Sequence, residues 1–251
     1  GNQSETFCPH HDAGFIRPPA DQSPCASGQS VTHISHCSPT DTPVTNPGAM
    51  TTGFHVTIRA DTLHTFLPAM STDITSLSAS ELSDAIHARQ VSCVDVMQAY
   101  LQRIERLNPA CNAIVNRAAD ETLLAEARQC DEQLSRGQSR GWLHGIPQAI
   151  KDTGHALGFP STMGSRVLEK QMPRADSIMT ARMKAAGCIV IGKTNMPELG
   201  LGSHTFNDLF GPTPNAWDTA VSAGGSSGGA AVALAQRMLP VADGSDFMGS
   251  L

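Results

Sequence analysis

An α/β fold follows from three features of this sequence. Beyond about residue 76, apolar stripes at helical spacing alternate with short continuous apolar runs. Of those runs, "HGIPQAIKD" (144–152) reads as a short strand and "CIVIGKTN" (188–195) as a buried strand. A helical segment separates them, as in a strand–helix–strand unit within a layered domain.

The elements can be placed in order. Residues 1–69 are rich in Ser, Thr, Pro and Gly without a sustained apolar period, so they are expected to be a disordered or non-native extension. "CPHH" at Cys8–His11 and "HISHC" at His33–Cys37 offer zinc-ligand atoms, but their irregular spacing favours a solvated polar tail. Consistent local signals begin after Met70, which suggests a biological start there (or at Met50); deleting residues 1–69 is then expected to leave stability unchanged. "SASE" (78–81) has capping-box spacing ahead of Leu82, Ala85 and Ile86. Ser92 with Asp95 repeats the pattern, and Val94, Met97, Leu101 and Ile104 supply a helical stripe that Asn108-Pro109 is expected to end. A third helix is expected over 118–134, closing at Gly137. The strand at 144–152 comes next, then a helix over 176–187 and the strand at 188–195. "GGAAVALAQRM" reads as a helix and "LPVADGSD" as a strand running into a turn.

Composition excludes several function classes. A hydrophobic content of 40% suffices for a core, which aromatics at 4% require to be aliphatic. A net charge of -6 argues against a general nucleic-acid surface. No apolar run has the length of a membrane span, and no basic-then-apolar leader is visible. A soluble, cytoplasmic protein is the expectation. The seven cysteines are an odd and scattered set, expected to be reduced, with the later ones serving as small core residues.

The densest signal is "SAGGSSGGAAVALA" (222–235). A flexible linker would not lead straight into so regular a helix. A phosphate loop is a second reading, and Gly187–Thr194 matches the GxxxxGK[ST] pattern. Its spacer, however, is Cys188, Ile189, Val190 and Ile191, a strand that cannot fold around phosphate. Nucleophilic catalysis is the third reading. A serine hydroxyl needs a base to take its proton and fixed donors for the oxyanion. Lys151, on a predicted strand end, and a second serine in "DGSDFMGSL" (243–251) are the matching candidates.

Together, "GIPQAIKDT", "IGKTNMPELG", "FGPTPNAWD", "SAGGSSGGAAVALA" and "VADGSDFMGSL" resemble, in order and spacing, the amidase signature hydrolases. The resemblance runs from about Ser76 to Leu251 and implies a mixed sheet covered by helices, with residues 70–251 as the N-terminal part of an amidase domain. It implies a Ser–Ser–Lys triad cleaving carbon–nitrogen bonds of linear amides through an acyl-enzyme. Ser250 matches the nucleophile, Ser226 the bridging serine after a cis Gly225–Ser226 bond, and Lys151 the base, which must be neutral to accept a proton. Backbone amides of Phe247, Met248 and Gly249, with that of Ser250, match the oxyanion hole; Ser227 and Asp246 match supporting polar positions. No metal or organic cofactor is implied. The implied partner is a small amide substrate, with a homodimer as the macromolecular option.

Two positions depart from the family pattern: Met248 stands where glycine is common and Pro214 where arginine is common. The family motif continues past Leu251, so a chain ending there is expected to be inactive or poorly soluble by itself. The runner-up activity is that of a glutamine-hydrolysing amidotransferase component. That group usually carries glycines in place of Phe247-Met248. An inactive remnant and a nucleotide-binding protein using Lys193 are the readings from other classes.

Overall fold

The computed structural model describes residues 73–251. The expected disordered extension, the alternative starts and the Cys8–His11 and His33–Cys37 groups lie outside the described residues.

Helices α1 (Ala79–His87) and α2 (Cys93–Cys111) begin with the two expected capping boxes. The Ser92 hydroxyl accepts from the Asp95 amide at 2.9 Å, and the Asp95 carboxylate accepts from the Ser92 amide at 3.1 Å. Helix α2 does not stop at Asn108-Pro109 but continues to Cys111, where Asn112 takes a left-handed φ of 44°. A proline in the last turn removes one amide without ending the carbonyl ladder before it. The end is set by Asn108, whose side-chain oxygen accepts from the Ala113 and Ile114 amides at 3.0 and 2.9 Å. These bonds turn the chain directly into the two-residue strand β1 (Ile114–Val115), which the sequence did not announce.

Helix α3 (Asp120–Ser135) packs on α2, and its Asp131 carboxylate accepts from the Cys93 and Val94 amides at 2.7 and 3.1 Å. A charge at the positive end of α2 thus ties two helices together. Strand β2 (Pro147–Lys151), helix α4 (Ile178–Ala185) and strand β3 (Ile189–Thr194) form the expected strand–helix–strand unit. The sheet order is β1-β3-β2, with β2 parallel and β1 antiparallel to β3.

Helix α5 (Gly228–Ala235) packs against all three strands. Its approach is close enough that a Cβ at Gly229 would lie 2.5 Å from the Asn195 carbonyl oxygen and 2.7 Å from that of Ala113. The core is aliphatic, with Leu82, Ile86, Met97, Ile104, Ile150 and Ile191 fully buried. Cys93, Cys130 and Cys188 are buried in it as free thiols. The expected strand at 239–246 is absent: the segment runs beside β2 without joining the ladder. Its Asp243 side chain, rather than its backbone, meets that edge. The fold is therefore a mixed α/β arrangement, a small sheet covered by helices. No helix among the described residues is long and apolar enough to cross a membrane.

Candidate active site

Lys151 ends β2 and is 1% exposed. Its Nζ lies 2.8 Å from the Ser226 hydroxyl, 2.9 Å from the Ser227 hydroxyl and 3.2 Å from the Ser245 carbonyl. An ammonium donates to all three. A neutral amine has two donors and one lone pair. With the donors on Ser227 and the Ser245 carbonyl, the lone pair is left for the Ser226 O–H. Burial pushes the Lys151 amine below its usual 10.5, and the Asp243 and Asp246 carboxylates partly oppose that shift. The positive end of α5, immediately after Ser227, further disfavours an ammonium here.

The glycine-rich loop is held from both sides. The Ala223 amide donates to the Thr213 carbonyl at 2.8 Å, and the Gly225 amide donates to that of Ser203 at 2.9 Å. The Thr205 hydroxyl donates to the Gly224 carbonyl at 2.9 Å. At its helix end the loop has no room for added atoms: a Cβ at Gly228 would sit 2.7 Å from the Thr205 Cβ. The Gly225–Ser226 peptide bond is cis. Ser227 precedes α5 in the capping position, yet no side-chain capping bond forms, because its hydroxyl faces Lys151 and the Ser245 carbonyl.

Ser250 lines a cavity of about 410 Å³ together with Gly225, Ser227, Ala231 and Leu234. The structure thus gathers Lys151, Ser226 and Ser227 into one hydrogen-bonded cluster and sets Ser250 in the adjoining cavity. No hydrogen bond joins the Ser250 hydroxyl to that cluster among the described residues. The Asp246 carboxylate accepts from the Gly249 and Ser250 amides at 2.6 and 2.9 Å and from Leu251 at 3.3 Å. Those contacts, Ser250 first, hold its acid below the usual carboxylate range. The Gly249 amide is therefore engaged, whereas those of Phe247 and Met248 make no hydrogen bond among the described residues. Both of those side chains are exposed, so Met248 does not fill the cavity.

Lys193 is fully buried on β3, within the stretch that matched the phosphate-loop pattern. Its Nζ donates to the Gly154 carbonyl and stands 3.7 Å from the Asp152 carboxylate. Asp152 is in turn held by the Thr162 hydroxyl and by the Thr162 amide at 3.2 Å. A lysine on a regular strand with these partners is not part of a phosphate cradle. Among the described residues, no group of three or more His, Cys, Asp or Glu is placed to hold a metal ion. Sequence reasoning passed over Asp243 and Gln148, which contact the backbone and edge of β2. A glutamine inside an otherwise apolar strand was the available signal.

The sequence profile of the Amidase family matches residues 95–251. The glutamyl-tRNA(Gln) amidotransferase A subunit of Nocardia farcinica is 42% identical over 180 residues, which cover 71% of this chain and 36% of that protein. Its namesake in Methylococcus capsulatus is 42% identical over 172 residues, covering 68% and 35%. The chain thus spans about a third of the length of the curated relatives it matches. Among solved structures, a bacterial aryl acylamidase of the amidase signature family aligns with TM-score 0.62 and 32% identity, over 66% of this chain and 34% of that one. The peptide amidase of Stenotrophomonas maltophilia aligns with TM-score 0.61 and 33% identity, over 70% and 36%. With the profile match covering more than half of its residues, the chain belongs to the amidase signature family.

Proposed function

We propose that the protein carrying these residues hydrolyses carbon–nitrogen bonds of linear amides through a Ser250 acyl-enzyme. The observation that carries this reading is the buried Lys151 amine within 2.8 Å of the Ser226 hydroxyl, beside a cavity lined by Ser250. Ser250 Oγ attacks the carbonyl carbon while its proton passes to Ser226 Oγ, and the Ser226 proton passes to the Lys151 lone pair. The tetrahedral oxyanion is met by backbone amides of Phe247, Met248, Gly249 and Ser250; the last two must leave Asp246 to contribute. The relay then returns the proton to the departing nitrogen, which leaves as a neutral amine or ammonia. Water, deprotonated through the same relay, attacks the ester carbonyl, and the relay passes that proton to Ser250 Oγ as it leaves with release of the acid. Ser227 and Asp246 support the cluster, the first on Lys151 and the second on the amides around Ser250.

A fluorophosphonate probe is expected to label Ser250, and Ser250→Ala or Lys151→Ala to abolish both labelling and amine release from a chromogenic anilide. An unlabelled Ser250 in the whole protein would support the inactive-remnant reading instead. The amidotransferase relatives favour a second reading, glutamine hydrolysis to supply ammonia. Ammonia release from glutamine in preference to simple carboxamides would decide for it.

A further inference from the structure

We propose that Asp243 is a positioning residue for Lys151, fixing the backbone of the strand end from which the amine reaches Ser226. This rests on Lys151 being the base of the proposed reaction.

In a parallel pair, successive N–H groups along a strand point to opposite edges. The Asp152 amide donates across to the Thr194 carbonyl of β3 at 3.3 Å. The Lys151 amide therefore points to the other edge of β2, where no strand pairs with it among the described residues. A carboxylate occupies that place: both Asp243 oxygens are 3.1 Å from the Lys151 nitrogen. The fully buried Gln148 completes the edge. Its Nε2 donates to Asp243 Oδ1 and to the Ala149 carbonyl, each at 3.2 Å.

The same short segment also reaches the other end of Lys151. Two residues beyond Asp243, the Ser245 carbonyl accepts from Lys151 Nζ at 3.2 Å. Segment 243–245 thus grips the lysine at its backbone amide and at its amine. A four-carbon stem transmits any shift of its Cα to the nitrogen, and a reacting constellation tolerates only about 0.5 Å of misplacement. Simple charge neutralisation does not explain Asp243. Among the described residues it forms no ion pair with either buried lysine, and Lys193 has Asp152 as its counter-charge.

Single-residue hydrogen exchange in the full chain tests the assignment. Asp243→Ala is expected to speed exchange of the Lys151 amide about tenfold or more, the worth of a hydrogen bond to a charged acceptor. Asp243→Asn retains an acceptor and is expected to keep exchange within about threefold of the parent. The Ile150 and Asp152 amides, which face β3, should hold their protection in both variants. An unchanged Lys151 amide in Asp243→Ala, or an equal rise at all three amides, overturns the proposal.

A second measurement needs no variant. The Lys151 amide proton should follow the titration of Asp243, whose acid burial lifts above the usual carboxylate range. The groups whose hydrogen bonds or charge act on that acid are the Lys151 amide and Gln148, the Lys151 and Lys193 amines, and the Cys188 thiol. A Lys151 amide proton that stays flat from acid to neutral pH overturns the proposal. In the whole protein, Asp243→Ala is expected to lower kcat about tenfold at unchanged KM, with recovery in Asp243→Asn; a loss confined to KM overturns it. Amide hydrolysis that survives Lys151→Ala would sink the proposed function while leaving the exchange result standing.

Discussion

A lysine works as a base only while it is neutral, and burial favours the neutral form of Lys151 over the opposing pull of the Asp243 and Asp246 carboxylates. Activity should therefore rise with pH through a Lys151 titration lying below 10.5, as a kcat/KM profile would show. Lys151→Arg keeps the positive charge but cannot surrender a proton near neutrality. It is expected to be as inactive as Lys151→Ala, with rate losses of roughly 10²–10⁴-fold in amide hydrolysis. At this scale the sequence was informative where motifs are dense. Lys151, Ser226 and Ser227 could be named because several motifs in order and spacing carry a family resemblance, where a lone lysine or a lone Gly-Ser pair would not. Asp243 and Gln148 could not, because their role depends on which way one amide of β2 points, and that appears only once the strand is paired.

Secondary-structure elements were most legible where side-chain chemistry fixes their ends. Both capping boxes could be read from Ser and an acid three residues on, and Ser92→Ala is expected to cost about 1 kcal/mol in urea unfolding. Elements fixed by bonds made outside the element itself were not legible. Helix α2 ends through Asn108 bonding into β1, and the expected strand at 239–246 gives its place at the β2 edge to one carboxylate. Helix α5 was legible as a helix, but not its depth against the sheet. Gly229→Ala drives a methyl into the Asn195 and Ala113 carbonyls and is expected to cost about 1–3 kcal/mol, measurable as a lowered Tm. The same shift would move Ser226 away from Lys151, so labelling of Ser250 should fall with it.

For the whole molecule, two buried lysines on neighbouring strands tie stability to pH. Ile150 pairs with Lys193 and Lys151 with Thr194, so the lysines leave opposite faces of the sheet. Burial lowers the proton affinity of both. Between their folded values and 10.5 the unfolded chain binds more protons than the folded one, so stability rises with pH across that window. It is fully present above 10.5 and is lost as pH falls through the folded values. Urea midpoints measured against pH should show that slope, and Lys151→Met should flatten it. Asp152→Asn leaves the Lys193 ammonium without its counter-charge and is expected to cost about 3–5 kcal/mol. Ser227 shows where the demands of the whole fold and of the chemistry diverge. It stands at the start of α5 without capping the helix, because its hydroxyl serves Lys151. An aspartate there would suit the helix, and its charge would hold Lys151 protonated. Selection for heat resistance alone would therefore be drawn to the substitution that disables the proposed base.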